Sequence, residues 1–389
     1  MRKISLIVNS SLAKRQFLCT PVLDILKNNP KNEIIIFTQP KKILKTTVPG
    51  RIKVCSYQNF LWLRKIGISR SMVAFWAYVI LGIKKSDIII LINWIDQELI
   101  EILRLARKKN IPTLFIQEGM GNPWENYLTD IYPDKLLVWG DVAKKAYIER
   151  GISFDSIEVT GQPRFDWYSK LEKKEVFTKV NNKKTLLYAT QPLWKEPKRF
   201  NDGENIVKKT FDMILNVCKK LDLQLVCKLH PSDRPDFYAR DGVIILEETG
   251  SKSENYKKWY CNTGYDPEID DIKRLGHILL SSDIVVTMFS TVGLEAMILN
   301  RPVIFLDIAG YSQKEPVSRA LFESAKFFFV DTESKFEEMV KMYLEKPEIY
   351  RDLEKKVVYN FAYIQDGKAS ERVVLAIEGL LFLKTRSVV

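Results

Sequence analysis

The feature that most restricts what this chain can fold into is a rhythm of short apolar runs, rich in β-branched residues and four to seven residues long, separated by helical stretches. ISLIV, EIIIF, IKVC, DIIILI, TLFIQ, KLLVW and IEVT all fall before residue 161. Runs that are apolar at every position, rather than at alternate ones, suit strands covered on both faces, and such strands build parallel sheets with helical crossovers. After a Lys/Glu-rich segment at 171–184, LEKKEVFTKVNNKK, the rhythm restarts with TLLYAT, LQLVCKL, VIIL, DIVVT, PVIFL and FFFV. Helices are expected over 94–109, 141–150, 203–220, 270–281, 292–299, 335–358 and 369–385. At 389 residues the chain is too long for one ordinary core. The expectation is therefore an α/β protein of two Rossmann-like domains, 1–170 and 171–368, with a cleft between them and a last helical segment at 369–389.

A formal charge of +12 invites an anionic partner. The lysines are dispersed, and the sequence has no zinc-finger spacing, no RNP-type aromatic motif and no concentrated basic arm, which argues against nucleic acid. A phosphate-bearing substrate and an anionic bilayer surface remain. Five cysteines, odd in number and without a CxxC pair, suggest a reducing compartment. The opening MRKISLIVNS lacks signal-peptide length and a cleavage pattern, so a cytoplasmic protein is expected. The run SMVAFWAYVILGI, 71–83, falls short of the roughly 20 residues that span a bilayer. Two readings stay open for residues 60–85, which mix Trp62, Phe75, Trp76 and Tyr78 with Arg and Lys: an interfacial helix on the inner face of a membrane, or a core helix.

Ligands of open α/β sheets settle beyond the carboxyl ends of the strands, so polar residues that follow the apolar runs are the candidates. After DIVVT come Ser290 and Thr291 and the helix-like VGLEAMIL. Ser290 there either caps a helix or, with Thr291 and the helix N–H groups, cradles a phosphate; Glu295, one turn on, either complements the helix dipole or accepts from ribose hydroxyls. CKLHPSDRP places His230 where a strand ends, with Pro231 holding it extended, so the imidazole is either a loop residue or a partner for a phosphate. No second His or Cys stands at metal-ligand spacing from it, and no metal site or cofactor is expected. TLFIQEGMGNPW puts Glu118 after a strand and before Gly119 and Gly121, where it is a loop acid or a general base for an incoming hydroxyl. Gln162 and Gln191 each precede Pro just after a strand, and Lys368 lies in IQDGKASER ahead of the last helix; turns and caps account for these, and contacts to a base, sugar or phosphate do too.

Taken together, HP after one strand of the second half, ST at a helix start with Glu four residues on, and DGKASER near the end resemble the GT-B glycosyltransferase-like superfamily. The narrower likeness is to the branch of CDP-glycerol glycerophosphotransferases, bacterial sialyltransferases and Kdo transferases of teichoic-acid and capsule polysaccharide synthesis. The resemblance implies that His230, Pro231, Ser290 and Thr291 hold the phosphates of a CMP or CDP donor, that Glu295 holds the ribose, and that the last helix packs back on the first domain. The sialyltransferases carry paired acids before a glycine where this chain has Gln117, Glu118 and Gly119. The implied function is an inverting, metal-independent transferase. It would take a nucleotide-sugar or CDP-polyol donor and extend a glycan or lipid-linked acceptor, with His230 assisting the leaving group and Glu118 taking the acceptor proton. A UDP-N-acetylglucosamine 2-epimerase and a silent binding module of the same fold are the alternatives.

Overall fold

A computed structural model of the chain describes residues 1–8, 21–38, 52–56, 60–62, 65, 67–92, 97–117, 119–120, 131–174, 176–177, 180, 182–195, 200, 202–230, 233–246, 269–308, 310 and 316–386. All thirteen apolar runs contain strands: β1 (Arg2–Ile7), β2 (Asn32–Thr38), β3 (Ile52–Ser56), β4 (Ile88–Leu91), β5 (Thr113–Ile116), β6 (Lys135–Val138), β7 (Ile157–Val159), β8 (Thr185–Ala189), β9 (Gln224–Lys228), β10 (Ile244–Leu246), β11 (Ile284–Thr287), β12 (Val303–Leu306) and β13 (Phe329–Val330). Every pairing between them is parallel. The first sheet runs β3-β2-β1-β4-β5-β6-β7 and the second β10-β9-β8-β11-β12-β13. Each begins at its centre, winds outward, and reverses beside its first strand, which is the order of a Rossmann fold. The chain divides into two compact units, one made of Met1–Ser169 with Phe361–Val389 and the other of Lys170–Tyr260 with Asp270–Asn360, apart from a short piece of 261–269.

Alternation along the strands builds two cores on the first sheet. Ile7, Ile35, Phe37, Ile89, Leu91, Phe115, Leu136 and Val138 face one way, onto Val73, Ala77 and Tyr78 of the Arg70–Leu81 helix and Leu99, Ile102 and Ala106 of the Gln97–Lys108 helix. Leu6, Val8, Ile34, Ile36, Ile88, Ile90, Leu114 and Ile116 face the other way, onto Val22, Leu23 and Leu26 of the Pro21–Asn28 helix and Val373, Ile377 and Leu381 of the Ala369–Arg386 helix. One face of the Arg70–Leu81 helix is core, as in the second reading of 60–85, while Trp76 and Ile80 are 51% and 65% exposed, and Trp62 before the helix is 59% exposed. Among the described residues no helix is long and apolar enough to cross a membrane.

One helical expectation needs correction, and two helices were not expected. The helix expected over 335–358 is two, Glu333–Glu345 and Arg351–Ala362. Lys346 stands at φ −138°, ψ 77°, because the ring of Pro347 excludes the helical conformation from the residue before it. The Pro21–Asn28 and Pro316–Ala325 helices had no sequence expectation; both are short, eight and ten residues, and open on proline, which suits a helix's first position.

Candidate functional site

In the second sheet the order reverses between β8 and β11, so the carboxyl ends of β8, β9 and β11 stand side by side at the point where such folds take ligands. Backbone and side-chain bonds fasten these ends together. Thr287 Oγ1 donates to the Ala189 carbonyl at 3.0 Å, joining β11 to β8. Beyond β8, Gln191 Oε1 accepts from the Phe289 N–H at 3.0 Å. Thr190 Oγ1 accepts from the His230 N–H at 2.9 Å, and the Thr190 N–H donates to the Lys228 carbonyl at 3.1 Å. His230, Gln191 and the Phe289–Thr291 segment therefore belong to one cluster of strand tips, each within a hydrogen bond or two of the next.

Ser290 is the N-cap of the Thr291–Ile298 helix, in extended conformation, with its Oγ accepting from the Val292 N–H at 3.3 Å. That length is near the limit for such a bond, and Ser290 and Thr291 both stay partly exposed. Glu295 lies one turn further along the helix and is 2% exposed. The helix reaches this position because residue 293 is glycine: a Cβ there would stand 2.4 Å from the Phe305 ring. Gly203, first residue of the Gly203–Lys220 helix, plays a similar part, since a Cβ would meet the Leu193 carbonyl oxygen of the turn after β8 at 2.5 Å.

Pro231 and Glu118 lie outside the described residues. The turn that carries His230 closes with the Asp233 N–H on the His230 carbonyl at 2.8 Å. Gln117, buried after β5, accepts the Trp139 N–H on its Oε1 at 2.8 Å, accepts Trp139 Nε1 on its carbonyl at 2.9 Å, and donates Nε2 to the Gly119 carbonyl at 2.7 Å. Gln162 is buried, and its Oε1 accepts the Arg164 N–H at 3.1 Å, which is the turn-shaping role of the two offered by the sequence.

Lys368 is exposed in the first unit, and its N–H donates to Asp366 Oδ1 at 3.0 Å. The helix N-terminus beside it holds a carboxylate of the chain itself: Asp166 accepts from the Ala369 and Ser370 N–H groups at 2.9 and 2.7 Å. Burial raises the Asp166 pKa, and the bonds from Ser370 and Ala369 oppose that rise. These N–H groups are thus occupied from within.

Sequence reasoning passed over four residues that organise the strand tips: Thr190, Trp194, Asp233 and Tyr238. Asp233 accepts from Trp194 Nε1 at 3.2 Å, from the Arg234 N–H at 3.0 Å and from the Tyr238 hydroxyl at 2.6 Å. The Arg234 guanidinium lies 4.0 Å over the Phe237 ring and pairs with Asp236 at 2.7 Å. The available signal was the acid two residues after Pro231, where a side chain can close a turn.

Comparison with known proteins shows what the chain is similar to. The profile of the family described as CDP-Glycerol:Poly(glycerophosphate) glycerophosphotransferase matches residues 134–379. The teichoic acid poly(ribitol-phosphate) polymerase of Bacillus spizizenii is 25% identical over 254 residues, which are 62% of this chain and 36% of that protein. The chain thus matches little more than a third of the length of its curated relative. Among solved structures, MnaA of S. aureus with UDP superposes with a TM-score of 0.62 at 15% identity over 98% of both chains. UDP-GlcNAc 2-epimerase from Neisseria meningitidis, bound to UDP-GlcNAc, gives 0.59 at 16% identity over 97% of this chain and 100% of that one. A variant of the wall teichoic acid polymerase TagF gives 0.58 at 13% identity over 99% and 90%. At such identities the likeness is one of fold, two Rossmann-like domains of the GT-B type.

Proposed function

The chain belongs to the CDP-glycerol:poly(glycerophosphate) glycerophosphotransferase family, and on that footing we propose that it moves a polyol-phosphate unit from a cytidine-diphosphate-activated donor to a hydroxyl of a teichoic-acid-like polymer. The observation that carries this reading is the clustering of His230, Gln191 and Ser290–Thr291 at adjoining strand tips where the second sheet reverses its order. In the reaction, the acceptor oxygen forms a bond to the phosphorus that bears the polyol. The bond from that phosphorus to the bridging oxygen breaks, its electron pair stays with the bridging oxygen, and CMP departs.

Charge on the departing phosphate is met by the His230 imidazole, the Ser290 and Thr291 hydroxyls and the first N–H groups of the Thr291–Ile298 helix, a scheme that asks for no metal. Charge-assisted hydrogen bonds of this kind contribute about 1.5–3 kcal/mol each. Glu295 is assigned the ribose hydroxyls and Gln191 the alignment of the Phe289–Thr291 segment. Glu118 is assigned the proton of the incoming hydroxyl.

Calorimetric titration of the full chain with CMP, CDP, UMP and UDP tests the reading. Cytidine nucleotides are expected to bind at least about tenfold tighter than uridine ones, a gap of roughly 1.4 kcal/mol. His230→Ala is expected to weaken CMP binding by about tenfold or more with an unchanged melting temperature, as for loss of one charge-assisted contact. Preference for uridine together with epimerisation of UDP-N-acetylglucosamine would replace this reading with the epimerase one.

The acceptor reading includes a peripheral contact with an anionic bilayer, supported by exposed Trp62, Trp76 and Ile80 close in sequence to exposed Lys65, Lys84 and Lys85. Co-sedimentation with phosphatidylglycerol vesicles at low salt, lost on Trp76→Ser/Ile80→Ser, is the expected result. A parent protein that stays in the supernatant removes the membrane contact and leaves the chemistry untouched.

A further inference from the structure

Three hydrogen bonds fix the backbone of His230 and the turn beyond it. The His230 N–H donates to Thr190 Oγ1 at 2.9 Å. The Asp233 N–H donates to the His230 carbonyl at 2.8 Å, and the Tyr238 hydroxyl donates to Asp233 Oδ2 at 2.6 Å, since a carboxylate only accepts.

The turn is also anchored from outside. Asp233 Oδ1 takes Trp194 Nε1 at 3.2 Å, tying the turn after β9 to the turn after β8. Tyr238 is fully buried, its ring edge-on to Phe211 at 5.3 Å and to Tyr188 at 6.1 Å. Burial, then the neighbouring Tyr188 and Asp233, push its phenol well above the ordinary range, so it stays a protonated donor.

We propose that Asp233 is a positioning residue for His230: braced by the Tyr238 hydroxyl and the Trp194 indole, it closes the turn on the His230 carbonyl and so fixes where the imidazole leaves the tip of β9. The inference rests on the reading of His230 as the group that meets the departing phosphate. A network of this kind acts as a unit, so its members are expected to be non-additive.

The test is a four-protein cycle in the full chain: parent, His230→Ala, Asp233→Asn and the double variant. CMP affinity is read by calorimetry, and CMP release from CDP-glycerol is followed with a poly(glycerol phosphate) acceptor. Asp233→Asn is expected to lower kcat about tenfold while KM for CDP-glycerol moves less than about threefold, and the double variant is expected to match His230→Ala in both rate and affinity. A purely structural aspartate would instead multiply its loss onto that of His230→Ala, and that result overturns the inference, as does parental kcat in Asp233→Asn beside a crippled His230→Ala. Parental behaviour of His230→Ala removes the functional reading itself and the inference with it. Should Asp233→Asn fail to fold, Trp194→Phe removes one donor to Asp233 and leaves its charge. Its smaller loss, about threefold, is expected to vanish in the His230→Ala background, and persistence there sinks the proposal.

Discussion

Glu354 sits on the Arg351–Ala362 helix with its side chain 1% exposed and Arg351 Nη1 3.1 Å from its Oε2. Burial pushes its pKa up to about 7 against the partial opposition of Arg351. A carboxyl raised in the folded state binds its proton more tightly there than in the unfolded chain. The stability it contributes is therefore fully present below the unfolded value of 4.5 and is lost as pH rises through about 7. At about 1.4 kcal/mol per unit the loss is on the order of 3 kcal/mol. Glu354→Gln should raise the melting temperature at pH 8 and leave it near the parental value at pH 4.5; equal shifts at both pH values would show that Glu354 does not titrate in this window. What was legible at this scale follows the same logic of position. His230, Gln191 and Ser290 could be picked out because each directly follows an apolar run. The partners that hold His230 and its turn, Thr190, Trp194, Asp233 and Tyr238, could not, since they come from separate segments and meet only once the strands are paired.

Among the elements, the short Thr291–Ile298 helix is the one whose placement matters most to the strand tips, and glycine 293 sets that placement. Gly293→Ala would put a methyl 2.4–2.6 Å from atoms of the Phe305 ring. Phe305 is fully buried and stacked on Phe329 at 4.9 Å, so it has little room to yield. The helix is expected to lift, with a stability loss of about 1–3 kcal/mol as for overpacked cores and a parallel weakening of CMP binding. Chemical denaturation and the same calorimetric titration would show it; unchanged values in both would mean that the helix has room for a methyl beside Phe305. Element types were legible wherever periodicity ran unbroken, as in all thirteen strands and the Gly203–Lys220 helix. The break at Pro347 was there to be seen, and the apolar spacing of Phe336, Val340, Val357 and Phe361 on either side of it concealed the gap.

For the molecule as a whole, the Ala369–Arg386 helix binds the chain's far ends. Val373, Ile377 and Leu381 enter a core otherwise drawn from residues between 4 and 137, and Glu378 accepts from Arg2 Nη1 at 2.6 Å and from Asn29 Nδ2 at 3.2 Å. Ile377→Asp would bury an unpaired charge at a fully covered position, and a loss of about 3–5 kcal/mol is expected in the unfolding of the first unit alone. Urea unfolding followed by hydrogen exchange in each unit separates the two; equal loss of protection in both units would contradict a core confined to the first. Periodicity marked this helix in the sequence, but not the sheet it covers. Apolar spacing says that a face must be buried and is silent about against what.

A sheet whose one side waits for residues 373–381 cannot be sealed as it leaves the ribosome, while the later sheet has all its strands between residues 185 and 330. The earlier sheet should therefore mature after the later one: it stays sticky along Leu6, Ile36 and Ile90 until residues 373–381 are made, and chaperone demand should persist until then.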